Sequence, residues 1–129
     1  MSKVPITVTV PAPFGAWLAG LAHERDRSLS VLVLEAWDAK AEDLANVDAD
    51  GEEKNAMHVA GLYLRGLEDI AKLSEEPEGY RELSLLLPED LADEIDEEVD
   101  RLEVPADVIV AWICEKAFEP PADVAMFRS

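Results

Sequence analysis

Alternation over residues 5–10 is the first ordered pattern in the chain. Ile6, Val8 and Val10 fall on one side and Pro5, Thr7 and Thr9 on the other, the period of two of a strand with one buried face. Pro11 stops the strand. Phe14, Trp17, Leu18, Leu21 and Ala22 then recur at the spacing of a single helical face. A charged turn, Arg25-Asp26-Arg27, leads to Ser28, which is placed to accept from the free N–H groups that open a second helix. That helix starts with Leu29 to Leu34, a run so apolar that it requires almost complete burial.

The same order returns over residues 81–118. Leu83, Leu85 and Leu87 alternate inward, and Pro88 stands 77 positions after Pro11. Leu91, Ile95, Val99 and Leu102 mark an amphipathic helix; Pro105 sits where a first-turn proline is tolerated, and Asp107 lies near the positive end of the helix that follows. This last helix, read as residues 108–118, aligns with the first copy if its turn is one residue shorter. A six-residue strand cannot stand alone, because its edges are unpaired and its apolar face needs a cover. Each copy supplies what the other lacks.

Between the copies, Asn46-Val47-Asp48-Ala49-Asp50-Gly51 reads as a polar turn. A twelve-residue calcium loop counted from Asp48 needs glycine at its sixth position and an acidic ligand at its twelfth. Glu53 and Val59 stand there instead, so a solvated linker is expected and no metal site. Residues 53–73 predict a third helix with Ala56, Val59, Ala60, Tyr63, Leu67, Ile70 and Ala71 on one stripe, packed on the paired copies, and a Glu68–Lys72 pair outside. A docking helix for a partner is the sharper alternative. Residues 75–79 end it. Pro120 and Pro121 stop the last helix, and Met126 and Phe127 in the tail are expected to fold back onto the body. The organisation is thus a first copy over residues 1–45, an acidic linker with one helix over 46–79, a second copy over 80–119 and a tail over 120–129.

This repeated strand, proline, helix, turn and helix resembles the ribbon-helix-helix family, whose small repressors read DNA with a β-ribbon. The resemblance covers two segments, together somewhat over half the chain, and rests on pattern rather than on an invariant motif. It implies a mainly α fold of tandem ribbon-helix-helix units: a short antiparallel ribbon, interlocked helices and the extra linker helix. The two units pair as a pseudo-dimer within one chain or between chains of a homodimer. It also implies a DNA-reading surface: the outward strand residues Pro5, Thr7 and Thr9 with Glu82, Ser84 and Leu86, and the second-helix N-termini at Ser28 to Ser30 and Pro105 to Asp107.

Charge changes that picture. The 129 residues carry 29 acidic and 11 basic groups, a net charge of −18. Residues 1–45 hold 4 basic and 6 acidic groups, residues 46–79 hold 3 and 9, and residues 80–129 hold 4 and 14. Glu89, Asp90, Asp93, Glu94, Asp96, Glu97, Glu98 and Asp100 crowd one predicted helix. Affinity for duplex DNA comes largely from neutralising phosphates. None of the outward strand residues is basic, and Asp107 puts a carboxylate where a phosphate would rest.

Catalytic chemistry finds little footing. His23 and His58 are isolated, and no glycine-rich phosphate loop, nucleophile elbow or serine-histidine-acid arrangement is present. The single cysteine, Cys114, reads as a small buried hydrophobe in a reducing compartment. No apolar run reaches the roughly 20 residues that span a bilayer, so a cytoplasmic protein is expected, without cofactor or metal. Two functional expectations follow. The first is a non-enzymatic acidic module that binds the basic surface of a protein partner, as a phage or mobile-element inhibitor or DNA mimic would, through Glu89, Asp90, Asp93, Glu94, Asp96, Glu97 and Asp100. The second is a transcriptional regulator that reads duplex DNA through Thr7, Thr9, Ser28 and Ser30. A high-salt cytoplasm would also account for the acidity.

Overall fold

The computed structural model describes residues 2–73 and 80–127. Seven elements follow one another: β1 (Lys3–Pro11), α1 (Ala12–Glu24), α2 (Leu29–Ala45), α3 (Glu52–Leu73), β2 (Tyr80–Pro88), α4 (Glu89–Leu102) and α5 (Ala106–Phe118). The chain is therefore mainly helical, with one small antiparallel sheet.

β1 and β2 pair with each other within the chain, from Lys3 opposite Pro88 to Pro11 opposite Tyr80, with Thr7 opposite Ser84 at the centre. The expected alternation decides which face is covered. Val8, Val10, Leu83, Leu85 and Leu87 are buried and Ile6 partly so, while Pro5, Thr7, Glu82, Ser84 and Leu86 are exposed. A second sheet is not needed, because the helices supply the cover. α2 and α5 pack on each other beneath the ribbon, and eight consecutive residues of α5, Val108 to Glu115, are buried.

The separation of 77 residues between Pro11 and Pro88 persists through both halves. α1 and α4 begin at Ala12 and Glu89, and α2 and α5 at Leu29 and Ala106. Even the left-handed residues match, Asp26 with φ 53° and Glu103 with φ 56°. The turn of the second copy is one residue shorter, as expected, residues 103–105 against 25–28. α4 runs one residue further than α1, and α5 begins at Ala106 rather than Val108, so the backbone needs no deletion.

Two hydrogen bonds tie each half to the other by the same device. The Leu86 N–H donates to Ser30 Oγ (2.9 Å), and the Thr9 N–H donates to Asp107 Oδ2 (2.7 Å). Thr9 and Leu86 are 77 apart, as are Ser30 and Asp107. An edge N–H left without a partner beside a packed helix costs free energy comparable to a lost hydrogen bond, so the first turn of each buried helix clasps the strand of the opposite half.

The remaining ties are not symmetric. Arg101 of α4 donates to the Leu44 and Val47 carbonyls (2.8 and 2.7 Å) at the end of α2, where the Leu44 carbonyl also accepts from the Val47 N–H, and pairs with Glu98 at 2.6 Å. Glu115, buried in α5, accepts from the Met126 and Phe127 N–H groups. The tail therefore folds back as expected, with Phe127 in the core.

Candidate interaction surface

Three surfaces carry the residues singled out from the sequence. The first is the outward face of the ribbon. Thr7 and Ser84 are exposed side by side at its centre, flanked by Pro5, Glu82 and Leu86, the last 53% exposed. Thr9, expected to be outward and accessible, is only 7% exposed. Alternation does place it on that face, but the start of α5 reaches its backbone through Asp107 and α3 packs against the Pro11 end of β1. Strand period alone is blind to a helix arriving from elsewhere. Ser28 is exposed and caps α2, accepting from the Val31 N–H at 3.2 Å. Ser30 lies in the first turn of α2, its hydroxyl accepting from the Leu86 N–H of β2.

The second surface is α4. Glu89, Asp90, Asp93, Glu94, Asp96, Glu97 and Asp100 are all exposed, because Leu91, Ala92, Ile95 and Leu102 take the inward positions. Glu94 accepts from the Trp37 indole N–H at 2.8 Å. Among the described residues, the other six form no ion pair; the helix's one basic residue, Arg101, is taken by Glu98 and the end of α2. Like charges three and four residues apart repel by a few tenths of a kcal/mol each. Glu89 and Asp90 gain something back from the positive helix end, while Asp93, Asp96, Glu97 and Asp100 stand beyond its first turn.

The third surface is a groove of about 650 Å³ between α3 and the returning tail, walled by Ala56, Val59, Tyr63, Val124 and Met126. Here the expected stripe is corrected in part: its Ala60 is buried as expected, but Ala56, Val59 and Tyr63 are exposed. Among the described side chains of α3, Met57, Ala60 and Leu64 reach the core, whereas Val59 and Tyr63 are 63% and 56% exposed. α3 carries two apolar faces, and the core takes the one compatible with a close approach at Gly61, where an added Cβ would stand 3.2 Å from the Pro105 ring. Leu67, Ile70, Ala71 and the Glu68–Lys72 pair lie outside the described side chains.

Around these surfaces, polar groups are used structurally. Glu53 accepts from the Trp112 indole N–H (2.7 Å) and lies 3.5 Å from the Lys116 ammonium. Asp48 accepts from the Asp50 N–H at 2.9 Å, an Asx turn in the linker. Among the described residues, no group of three His, Cys, Asp or Glu side chains could hold a metal ion, and no helix is long and apolar enough to cross a membrane. Burial pushes the Cys114 thiol up to about 12, so it stays protonated and closed to reagents while the chain is folded.

The sequence reading missed Asp107 as a clasp, Glu115 as the tail's anchor and Glu53 as an indole acceptor. Glu115 had a visible signal: a single acid within the apolar run from Val108 to Phe118 has to find donors when that run is buried. Comparison with protein-family models, curated proteins and solved structures returns no match.

Proposed function

We propose that this chain is an internally doubled ribbon-helix-helix unit that works without catalysis, as an acidic module occupying the basic surface of a protein partner. The observation that carries this reading is the unpaired charge of α4: six exposed carboxylates on one helix, with its single arginine committed elsewhere. A rigid row of uncompensated carboxylates repels phosphate. It attracts a surface built to hold phosphate and speeds encounter with it. A partner whose nucleic-acid site is basic fits that chemistry, which makes inhibition by DNA mimicry the concrete form of the proposal.

DNA reading through the ribbon is the second reading, favoured only by the exposed Thr7 and Ser84 at the ribbon's centre. Against it stand the cover over Thr9, the commitment of the Ser30 hydroxyl to Leu86, the Asp107 carboxylate at the start of α5 and Glu82 on the reading face.

Affinity capture with the wild-type chain and with the variant Asp93→Asn, Asp96→Asn, Glu97→Gln, Asp100→Asn separates the two. The expected result is basic partners retained by the wild type, released by salt and lost with the variant. Salt-sensitive partners that are all neutral or acidic would remove the basis of the proposal. A low-salt mobility shift with duplex DNA that depends on Thr7 and survives the α4 variant would establish the second reading in its place.

A further inference from the structure

Residues 59–66 of α3 turn outward a short apolar stripe that is symmetric about its own middle. Val59, Leu62 and Tyr63 are 63%, 53% and 56% exposed; the other large hydrophobic of the described residues exposed to this degree, Leu86, lies away on the ribbon. At 3.6 residues per turn the stripe lies almost opposite Met57, Ala60 and Leu64, which hold α3 to the core. It is therefore not a leftover of the core-facing side. Gly66 completes the stripe, and a Cβ built there meets nothing within 4 Å.

We infer that this face pairs with the same face of a second copy of the chain, with the two α3 helices antiparallel across a two-fold axis between Leu62 and Tyr63. Around that axis Val59 of one copy faces Gly66 of the other, a branched side chain against a position with none. Leu62 faces Tyr63. A surface that complements itself under a two-fold rotation is what an isologous dimer requires. Charge permits the same occupant. Residues 52–73 hold four acidic and three basic groups in a chain of net charge −18, so two such anions can approach here without setting the carboxylates of α4 against each other. A basic partner would be drawn to α4 instead. The groove beside Val59 and Tyr63, with Val124 and Met126 on its far wall, gives the neighbouring helix apolar surface to lie against.

The inference is independent of what α4 binds, and salt tells the two apart. Screening relieves repulsion between like-charged copies, so the dimer tightens as salt rises, whereas a complex held by opposite charge loosens. Sedimentation equilibrium of the full chain over a concentration series, at roughly 0.01 M and roughly 1 M salt, is the test. The expected result is a monomer–dimer equilibrium that shifts to dimer at the higher salt. Leu62→Glu should raise the dissociation constant about a hundredfold or more, with an unchanged circular dichroism spectrum because the site is exposed. Gly66→Ala should raise the melting temperature of the monomer, since alanine favours the helix, and yet weaken the dimer about tenfold by filling the space that receives Val59. That opposed pair of effects is not produced by a merely structural role. A monomer under every condition would overturn the inference, as would a dimer indifferent to Leu62→Glu. So would a monomer that captures an apolar or basic peptide through this stripe, which would assign the face to a different partner.

Discussion

Phe14 and Leu18 in the first half stand where Leu91 and Ile95 stand in the second, and all four are buried. One step around the same helices the likeness ends. Trp17 of α1 packs on the core and meets Phe14 edge-on, ring centres 5.3 Å apart, where α4 has Glu94. Leu21 corresponds to Glu98, and Ala16, Ala19 and Gly20 to Asp93, Asp96 and Glu97. The two halves share a backbone down to the left-handed turn residue, yet one helix is nearly uncharged and the other is a row of carboxylates. A core constrains volume and pattern, and tolerates Phe for Leu or Leu for Ile when the whole repacks. It constrains the outer face hardly at all, so the outer faces of the two halves are free to diverge.

The largest effect tests the shared part. Val8 and its counterpart Leu85, 0% and 2% exposed, line the ribbon's inner face, and an aspartate at either would bury an unpaired charge. Val8→Asp and Leu85→Asp should each abolish the cooperative thermal transition followed by circular dichroism, a loss above about 4 kcal/mol. A folded variant in either half would break the equivalence of the two cores.

Next come the ties that only one half possesses. Arg101→Ala removes two charge-assisted bonds to the end of α2; each such bond contributes about 1.5–3 kcal/mol when shielded from water, and less here because the side chain is 34% exposed. A loss of about 2–3 kcal/mol in urea denaturation is expected. Glu24, its counterpart in α1, is exposed, and Glu24→Ala should stay within about 0.5 kcal/mol. Equal losses would mean that the end of α2 is held by something other than Arg101.

The clasps are shared in place and unequal in chemistry. Asp107→Ala, which removes an ionised acceptor at 2.7 Å, should cost about 2 kcal/mol. Ser30→Ala, which removes a hydroxyl at 2.9 Å, should cost about 1 kcal/mol. The same denaturation series gives the ratio, and a ratio reversed in favour of Ser30 would show that the carboxylate's charge adds nothing at that edge.

How much of this was legible beforehand divides along the same line. The two copies, their order, the inward residues of both strands and the apolar faces of α1 and α4 follow from periods of two and 3.6, which survive in the sequence because burial enforces them. The exposure of the seven α4 acids was legible for the same reason. Thr9 was not, since its cover comes from α5 and α3, nearly 100 and about 50 residues away. The face that α3 turns to the core was not legible either. Ala60 was on the expected stripe, but Ala56, Val59 and Tyr63 flank it as well as Met57 and Leu64 do, and the choice rests on Gly61 fitting beneath Pro105 and Val108.

The smallest effect sharpens the comparison at one residue type. Asp26 and Glu103 hold the same left-handed conformation at the ends of α1 and α4. That conformation costs a residue with a Cβ roughly 1–2 kcal/mol, and aspartate, whose short carboxylate can bond locally, visits it more readily than glutamate does. Glycine would remove the strain, but it would also loosen the unfolded chain by about 0.4–1 kcal/mol. The two terms nearly cancel for Asp26→Gly, which should leave the melting temperature unchanged or slightly lower. For Glu103→Gly the strain term is larger, and the Lys54 contact it gives up is exposed at 4.0 Å and contributes little. A net gain of about 0.5 kcal/mol is expected there, read as a small rise in melting temperature. If Glu103→Gly were destabilising, the left-handed turn would not be strained in the second half, and the row of acids that precedes it would have to be contributing to the turn rather than merely standing on its surface.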